Sequence, residues 1–95
     1  MRRKIDRRLV LDYWVDNEFA QAVVRSSKNI DREYTVVISI NDKKVYCSCV
    51  GYRRTGMCKH IMTFLVVLYE DRRIDSIFLK EVCKECYKLV GGLSH

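Results

Sequence analysis

Hydrophobic and polar positions alternate with two different periods along the chain, and the clearest pattern lies in its middle. Residues 34–40 are rich in β-branched side chains, Asn41 and Asp42 are typical of a turn, and residues 44–49 return to an extended pattern. Together these segments predict a β-hairpin. Residues 57–69 are almost wholly apolar, which predicts a buried helix packed on that hairpin.

Two further helices are predicted before the hairpin. Asp16 can cap a short helix over about residues 17–25, because it precedes apolar side chains at helical spacing. Residues 7–15 fit either a strand, from their alternating apolar side chains, or a helix capped by Asp6. The helix is favoured, so the N-terminal flank, residues 1–33, is predicted to be helical.

The C-terminal flank, residues 71–95, is also predicted to be helical. Asp75 or Ser76 would cap the helix, and Gly91-Gly92 would end it. One face of this helix carries an apolar stripe that would pack on the core. The stripe consists of Phe78, Leu79, Val82, Cys83, Cys86 and Val90.

The predicted fold class is α+β, with a β-hairpin followed by a buried helix and flanked by N- and C-terminal helices. The chain has 95 residues, 48% of them hydrophobic, and it has no proline and no Ser/Gly-rich linker. Residues 1–95 are therefore predicted to form a single domain with its core at residues 34–70. A core this small gains much stability from a bound metal ion.

Three cysteines and a histidine are the candidate metal ligands. Cys47 and Cys49 are two residues apart on a predicted strand, so both thiols point to the same side. Cys58 and His60 begin the buried helix. Thiolates and an imidazole suit zinc, and four protein ligands leave no open position, which predicts a structural rather than a catalytic site. The alternative is that these are ordinary buried cysteines and a core histidine, which would require four coincidences in spacing.

This spacing resembles the SWIM zinc finger, whose motif is C-x-C, a variable spacer and C-x-H. The sequence YCSC at residues 46–49 resembles that family's strand ending in C-S-C, and RRTGMCKHI at residues 53–61 resembles its basic, glycine-containing approach to C-K-H. Val50 stands where the family often has proline. The resemblance covers roughly residues 34–70 and implies a hairpin stapled to a helix by zinc.

A second cysteine pair, Cys83 and Cys86, has the C-x-x-C spacing of a redox motif or of half a zinc site. Both thiols lie on the apolar stripe, so a role in core packing is favoured. An all-cysteine site that combined this pair with Cys47 and Cys49 would leave Cys58 and His60 without a role. His95 could join the pair only weakly.

The cysteines and the N-terminus predict a cytoplasmic protein. No long apolar run follows the basic N-terminal residues, so no signal peptide is predicted. An odd cysteine number, five, then favours reduced thiols and metal binding over a disulfide framework. The apolar run at residues 57–69 is too short for a membrane span.

The charge balance suggests a partner. Eighteen Lys and Arg residues against twelve Asp and Glu give a formal net charge of +6, which favours contacts with the phosphates of nucleic acid. The resemblance to the SWIM family implies DNA rather than RNA. No base-reading helix is evident, so low sequence specificity is expected. The alternative is that these charges only maintain solubility. The candidate contacts are Lys43, Lys44, Tyr52, Arg53, Arg54 and Lys59.

Catalysis is not expected, because the chain has no convincing catalytic triad, carboxylate pair or phosphate-binding loop. The resemblance implies two other roles. SWIM domains occur in chromatin-remodelling ATPases, transposases and recombination factors that partner RecA-like ATPases. Assistance to a DNA-recombination or DNA-processing complex is therefore expected, and the alternative is a protein-interaction adaptor without direct nucleic-acid contact.

Overall fold

The computed structural model describes residues 6–26, 28–29 and 31–91. An antiparallel sheet of four strands precedes the helices, which confirms the predicted α+β class. A 3-10 turn at Arg7–Leu9 leads into strands β1 (Val10–Val15), β2 (Phe19–Arg25), β3 (Glu33–Ser39) and β4 (Lys44–Cys47). The helices are α1 (Val50–Thr55), α2 (Lys59–Glu70), α3 (Ser76–Val82) and α4 (Lys84–Leu89).

The sheet is a simple meander in which each strand pairs with the next one in sequence. The predicted hairpin corresponds to β3 and β4, joined by a turn in which Lys43 has a φ of 55°. Side chains alternate between the two faces, as strand geometry requires. The inner face carries the buried residues Ala20, Ala22, Val24, Val36 and Ile38.

The outer face of the sheet carries large aromatic side chains. Trp14 on β1 and Tyr46 on β4 are each 49% exposed, and Phe19 on β2 is 43% exposed. Trp14 pairs with Gln21, Gln21 with Val37, and Val37 with Tyr46, so one row crosses all four strands. A solvated sheet face is usually polar, and this outer face is therefore unusually apolar.

Helix α2 is the centre of the hydrophobic core. Its residues 61–68 are all buried, because the helix contacts all four strands on one side and also both α3 and α4. The Tyr13 ring lies 5.5 Å from that of Phe64 and packs at a tilted angle. The predicted buried helix is thus confirmed, and its uninterrupted apolar sequence is explained by neighbours on several sides. Within the described residues, no helix has the length and apolar character needed to cross a membrane.

The predicted helix over residues 17–25 is wrong, because this segment forms β2. Ala20, Ala22 and Val24 point inward at a period of two, a pattern that their small size obscured in the sequence. Asp16 does act as a cap, but of a turn between strands. Its Oδ1 accepts hydrogen bonds from the amides of Glu18 and Phe19, both at 2.8 Å, as Asp side chains commonly do in tight turns.

The favoured helix over residues 7–15 is also wrong, so the N-terminal flank is a 3-10 turn and two strands. Asp6 caps the 3-10 turn by accepting a hydrogen bond from the Arg8 amide at 3.0 Å. A bulge between Val10 and Asp12 shifts the register of β1. Because a bulge inserts one extra residue, Leu11 is exposed, whereas Tyr13 and Val15 pack against the core.

One continuous C-terminal helix was predicted, but the structure divides this segment into α3 and α4. Asp75 caps α3, as expected, and its Oδ1 accepts a hydrogen bond from the Phe78 amide at 2.8 Å. At Cys83 the backbone is extended, with φ −152° and ψ 99°, and α4 begins at the next residue. Gly91 has the left-handed φ of 80° expected near a helix end, whereas Gly92 lies outside the described residues.

The end of α2 is tied to the N-terminal turn by a small polar cluster around Asp71. Arg7 forms ion pairs with Glu70 at 3.0 Å and with Asp71 at 3.2 Å. The Tyr13 hydroxyl also donates a hydrogen bond to Asp71. These interactions favour the carboxylate, the Tyr13 hydrogen bond most strongly, and they lower the pKa of Asp71 below its ordinary value of 3.8.

We expect Asp71→Asn to reduce the free energy of unfolding at neutral pH by about 0.5–1 kcal/mol, discounted because Asp71 is partly exposed. Since the folded-state pKa is depressed, this contribution is present above about pH 4 and is lost as the pH falls through the folded value. Urea unfolding across the acid range should therefore show a weaker pH dependence in the variant. Asp31→Asn, with the same charge change in an exposed loop, is the control and should follow the parent.

Candidate metal centre

The four predicted ligands converge at the junction of the sheet and the first two helices. Cys47 ends β4, Cys49 is the N-cap residue of α1, Cys58 is the N-cap residue of α2, and His60 lies in the first turn of α2. Their sulfur and nitrogen atoms all lie within 4.8 Å of one another. This cluster could hold a metal ion.

The distances suit a tetrahedral ion. Cys47 Sγ lies 3.8 Å from His60 Nδ1, close to the separation of about 3.6 Å between a sulfur and a nitrogen ligand of a tetrahedral zinc ion with bonds of about 2.3 and 2.0 Å. Three sulfurs and one imidazole nitrogen are a donor set typical of structural zinc. An ion bound here would join the end of a strand to the starts of two helices.

The cluster also favours the deprotonated thiol that a metal requires. The Cys58 pKa is lowered to about 4, chiefly by a hydrogen bond from the Cys47 thiol and also by contacts with His60 and the Ile61 amide. The Cys47 pKa is raised, because its thiol donates to Cys58 and because it is buried. The pair therefore shares a proton, with the negative charge on Cys58, and metal binding would release that proton.

Backbone contacts hold the C-x-C ligands in position. Ser48 points away from the cluster, and its hydroxyl accepts a hydrogen bond from the Thr35 amide at 3.0 Å. Its own amide donates to the Thr35 carbonyl at 3.1 Å. Cys49 Sγ accepts a hydrogen bond from the Tyr52 amide at 3.4 Å. Such outer contacts fix the orientation of metal ligands.

The segment between the two ligand pairs is a short helix, α1. Gly56 has a φ of 77° and ends α1 with its amide bonded to the Tyr52 carbonyl, a position that favours glycine. Gly51 has no such requirement. A Cβ there would meet Cys58 and Cys49 only at ordinary contact distances of 3.8 and 3.9 Å.

The predicted nucleic-acid contacts do not all lie together. Lys43 forms an ion pair with Glu81 of α3 at 3.1 Å. The Tyr52 ring is half-buried and packs edge-on against Tyr46, with ring centroids 5.3 Å apart, so its faces are not both free for a base. Lys44 lies at the start of β4, paired with Ser39 of β3 and away from the ligands.

Two of the predicted contacts do line one open cavity beside the ligands. Arg54 and Lys59 are joined there by Lys28, from the connection between β2 and β3, and the cavity has a volume of about 420 Å³. Arg53 is exposed but does not line it. Sequence analysis missed Lys28, because an isolated lysine so far from the ligands in the chain has no pattern to mark it.

Cys83 and Cys86 are both buried in the core, as expected. Cys83 has an additional role, because its Sγ accepts a hydrogen bond from the Cys86 amide at 3.3 Å and so caps α4. The hydrogen bond from the Cys86 thiol is the largest of the effects that lower the Cys83 pKa to about 6. Across the described ranges, no third Cys, His, Asp or Glu completes a metal cluster with this pair, and His95 lies outside them.

Comparison with protein-family models, with curated proteins and with solved structures gave no match. The resemblance to the SWIM zinc finger therefore stays a prediction from the residues.

We expect the purified protein to bind one zinc ion per chain and Cys58→Ser to lose it. Zinc affinity at such sites is coupled to folding, with apparent values on the order of 10 kcal/mol, so a strong chelator should unfold the β3–β4 hairpin together with α1. Metal analysis by mass spectrometry and circular dichroism before and after chelation would measure both effects. A well-folded protein without metal would contradict the site.

The matched control for Cys58→Ser is the double variant Cys83→Ala/Cys86→Ala, which also removes thiols but only from the core. It should keep one metal ion and lose roughly 1–3 kcal/mol of stability from two truncations and one cap. Loss of metal in this variant would mean that the ligands are assigned to the wrong cysteines.

Proposed function

We propose that the chain is a zinc-binding module that resembles the SWIM zinc finger, and that its basic surface binds nucleic acid with low sequence specificity. The zinc would be structural, because all four positions are filled by protein ligands. One observation carries the nucleic-acid role. Between Asp42 and Glu70 the chain has no acidic residue but five basic ones, and this stretch contains all four ligands.

The basic side chains near the ligands lie on short, well-anchored elements. Arg53 and Arg54 are in the last turn of α1, whose start is the ligand Cys49 and whose end leads to Cys58. Lys59 follows Cys58 directly. Because metal ligands precede and follow them, these cations are held in place before a partner arrives, which lowers the entropic cost of binding.

Low specificity follows from the size of these elements. α1 has six residues, about 9 Å of helix, which is too short to present several side chains to the base edges of a major groove. Phosphate contacts by Arg and Lys carry no sequence information by themselves. DNA is proposed over RNA only from the resemblance, through the DNA-recombination and DNA-processing settings of that family.

We expect Arg53→Glu/Arg54→Glu to weaken binding of duplex DNA by about tenfold or more at low salt. If each arginine contacts one phosphate, the slope of log affinity against log salt should flatten by about two units. Fluorescence anisotropy with labelled duplex and single-stranded oligonucleotides, titrated at several salt concentrations, would measure both changes. Zinc content should stay at one per chain.

Lys84→Glu/Lys88→Glu is the control, with the same change of net charge placed on α4. It should have a small effect on the salt slope, since these lysines lie outside residues 43–69, the stretch that has no acidic residue. An unchanged slope in the folded, zinc-loaded arginine variant would eliminate this surface. Absence of binding by the parent protein at low salt would favour the second candidate.

The second candidate is a protein-interaction adaptor, and the outer sheet face favours it. Trp14, Phe19 and Tyr46 are 43–49% exposed on that face, and exposed Trp and Tyr side chains are enriched at protein interfaces. From the resemblance, the proposed partner is a RecA-like ATPase.

Trp14, the single tryptophan of the chain, provides a direct test of the adaptor. If a purified RecA-like ATPase covers the outer face, Trp14 fluorescence emission should shift to shorter wavelength. The affinity of the chain for the ATPase should change little with salt concentration. A tryptophan-free form of the ATPase ensures that the measured emission comes from Trp14 alone. Trp14→Ala should reduce the affinity by tenfold or more, as for a central interface aromatic. Steeply salt-dependent binding without an emission change would argue against this face.

A further inference from the structure

The cavity beside the candidate metal centre combines cations from three separate parts of the chain. Lys28 comes from the β2–β3 connection, Arg54 from α1, and Lys59 from the first position of α2. Among the described residues, no carboxylate lines this cavity, and none of the three cations forms an ion pair with another of these residues. Three unpaired cations around one concave surface are complementary to a multiply charged anion.

The bound metal would reduce this positive charge without cancelling it. Cys49, Cys58 and His60 also line the cavity, and three thiolates with one zinc dication leave the cluster about one negative charge. The three cations exceed that charge by about two. The cavity therefore stays attractive to an anion when the metal centre is filled.

The start of α2 adds to this field. α2 has twelve residues and no acidic residue in its first turn, but the Cys58 thiolate at its N-cap offsets part of the partial positive charge there. Lys59, the first residue of α2, lines the cavity. The partial charge that remains favours a phosphate group, in the same sense as the side chains.

The remaining wall of the cavity is partly apolar, although Ser26 and Thr55 also line it. Val50 is 67% exposed, and Met57 and the Tyr34 ring lie beside it on the cavity wall. A volume of about 420 Å³ lies at the lower end of the range for small-molecule sites. An anion with an attached flat apolar group fits this combination better than a free inorganic ion.

We propose that this cavity binds a nucleotide, with its phosphate held by Lys28, Arg54 and Lys59 and its base against Met57 and Val50. A phosphate attached to a nucleoside has two sources, a free mononucleotide or the 5′-phosphorylated end of a nucleic-acid strand. The second source rests on the proposed nucleic-acid function, and the first does not. Lys28, which lies far from the motif in sequence, is the residue that distinguishes this site from the basic surface around α1.

The test uses the zinc-loaded full chain and four probes. These are adenosine monophosphate, adenosine, and one single-stranded oligonucleotide with either a 5′-phosphate or a 5′-hydroxyl. Titrations followed by amide NMR shifts and by calorimetry should show that the monophosphate binds and adenosine does not. Lys28→Ala and Arg54→Ala should each weaken monophosphate binding by about fivefold, as expected for loss of one partly exposed charged contact. Lys84→Ala on α4 is the matched control and should bind like the parent.

The oligonucleotide pair then identifies the source. A 5′-phosphate preference of about fivefold that Lys28→Ala removes would assign the site to strand ends. If the two strands bind equally and Lys28→Ala weakens binding of the monophosphate, the site is assigned to the free nucleotide. The proposal is overturned if adenosine monophosphate binds no more tightly than adenosine and the 5′-phosphorylated strand binds no more tightly than the 5′-hydroxyl strand. It is also overturned if the preference for the phosphate persists in both Lys28→Ala and Arg54→Ala. Binding of the 5′-hydroxyl strand is independent of this outcome and tests only the proposed function.

Discussion

The convergence of four donor atoms within 4.8 Å is the constraint on which the rest of this small fold depends. α1 has only six residues, far fewer than an isolated helix needs in water, and both of its ends adjoin ligands. The start of α2 is fixed at the same point. Because α2 contacts every strand and both C-terminal helices, an ion at its N-terminus would also set how the central helix lies across the sheet.

The parts of the fold that could be predicted are those whose signal is local in sequence. The β3–β4 hairpin, α2 and the ligand set all lie within residues 34–70 and carry strong patterns. The N-terminal strands could not be predicted in the same way, because Ala20 and Ala22 are small enough to suit either structure. Pairing of β2 with β1 and β3 decides the outcome there, and that pairing is a tertiary interaction. Asp16 shows the same limit, since one side chain can cap a helix or a turn.

The candidate site follows the same rule. Arg54 and Lys59 were predicted from their charge, and both line the cavity. Lys43 was chosen by the same charge criterion, yet Glu81 of α3 pairs with it, and nothing in the local sequence indicates that partner. Lys28 reaches the cavity only because the meander returns the β2–β3 connection to the ligand end of the sheet. Charge along a sequence therefore identified candidate cations, and the fold decided which remained unpaired.

Metal binding and the proposed ligand binding would be coupled at this site by shared residues. Cys49, Cys58 and His60 line the cavity as well as the cluster, and Arg54 and Lys59 lie on the two helices whose starts are ligands. An ion that fixes those starts also fixes the separation of the two cations. Removing a ligand would therefore disturb the fold and the cavity together, whereas replacing Lys28 changes the cavity without touching the cluster. For this reason Lys28 is the position at which the proposed binding role would separate from the proposed structural role of a metal ion.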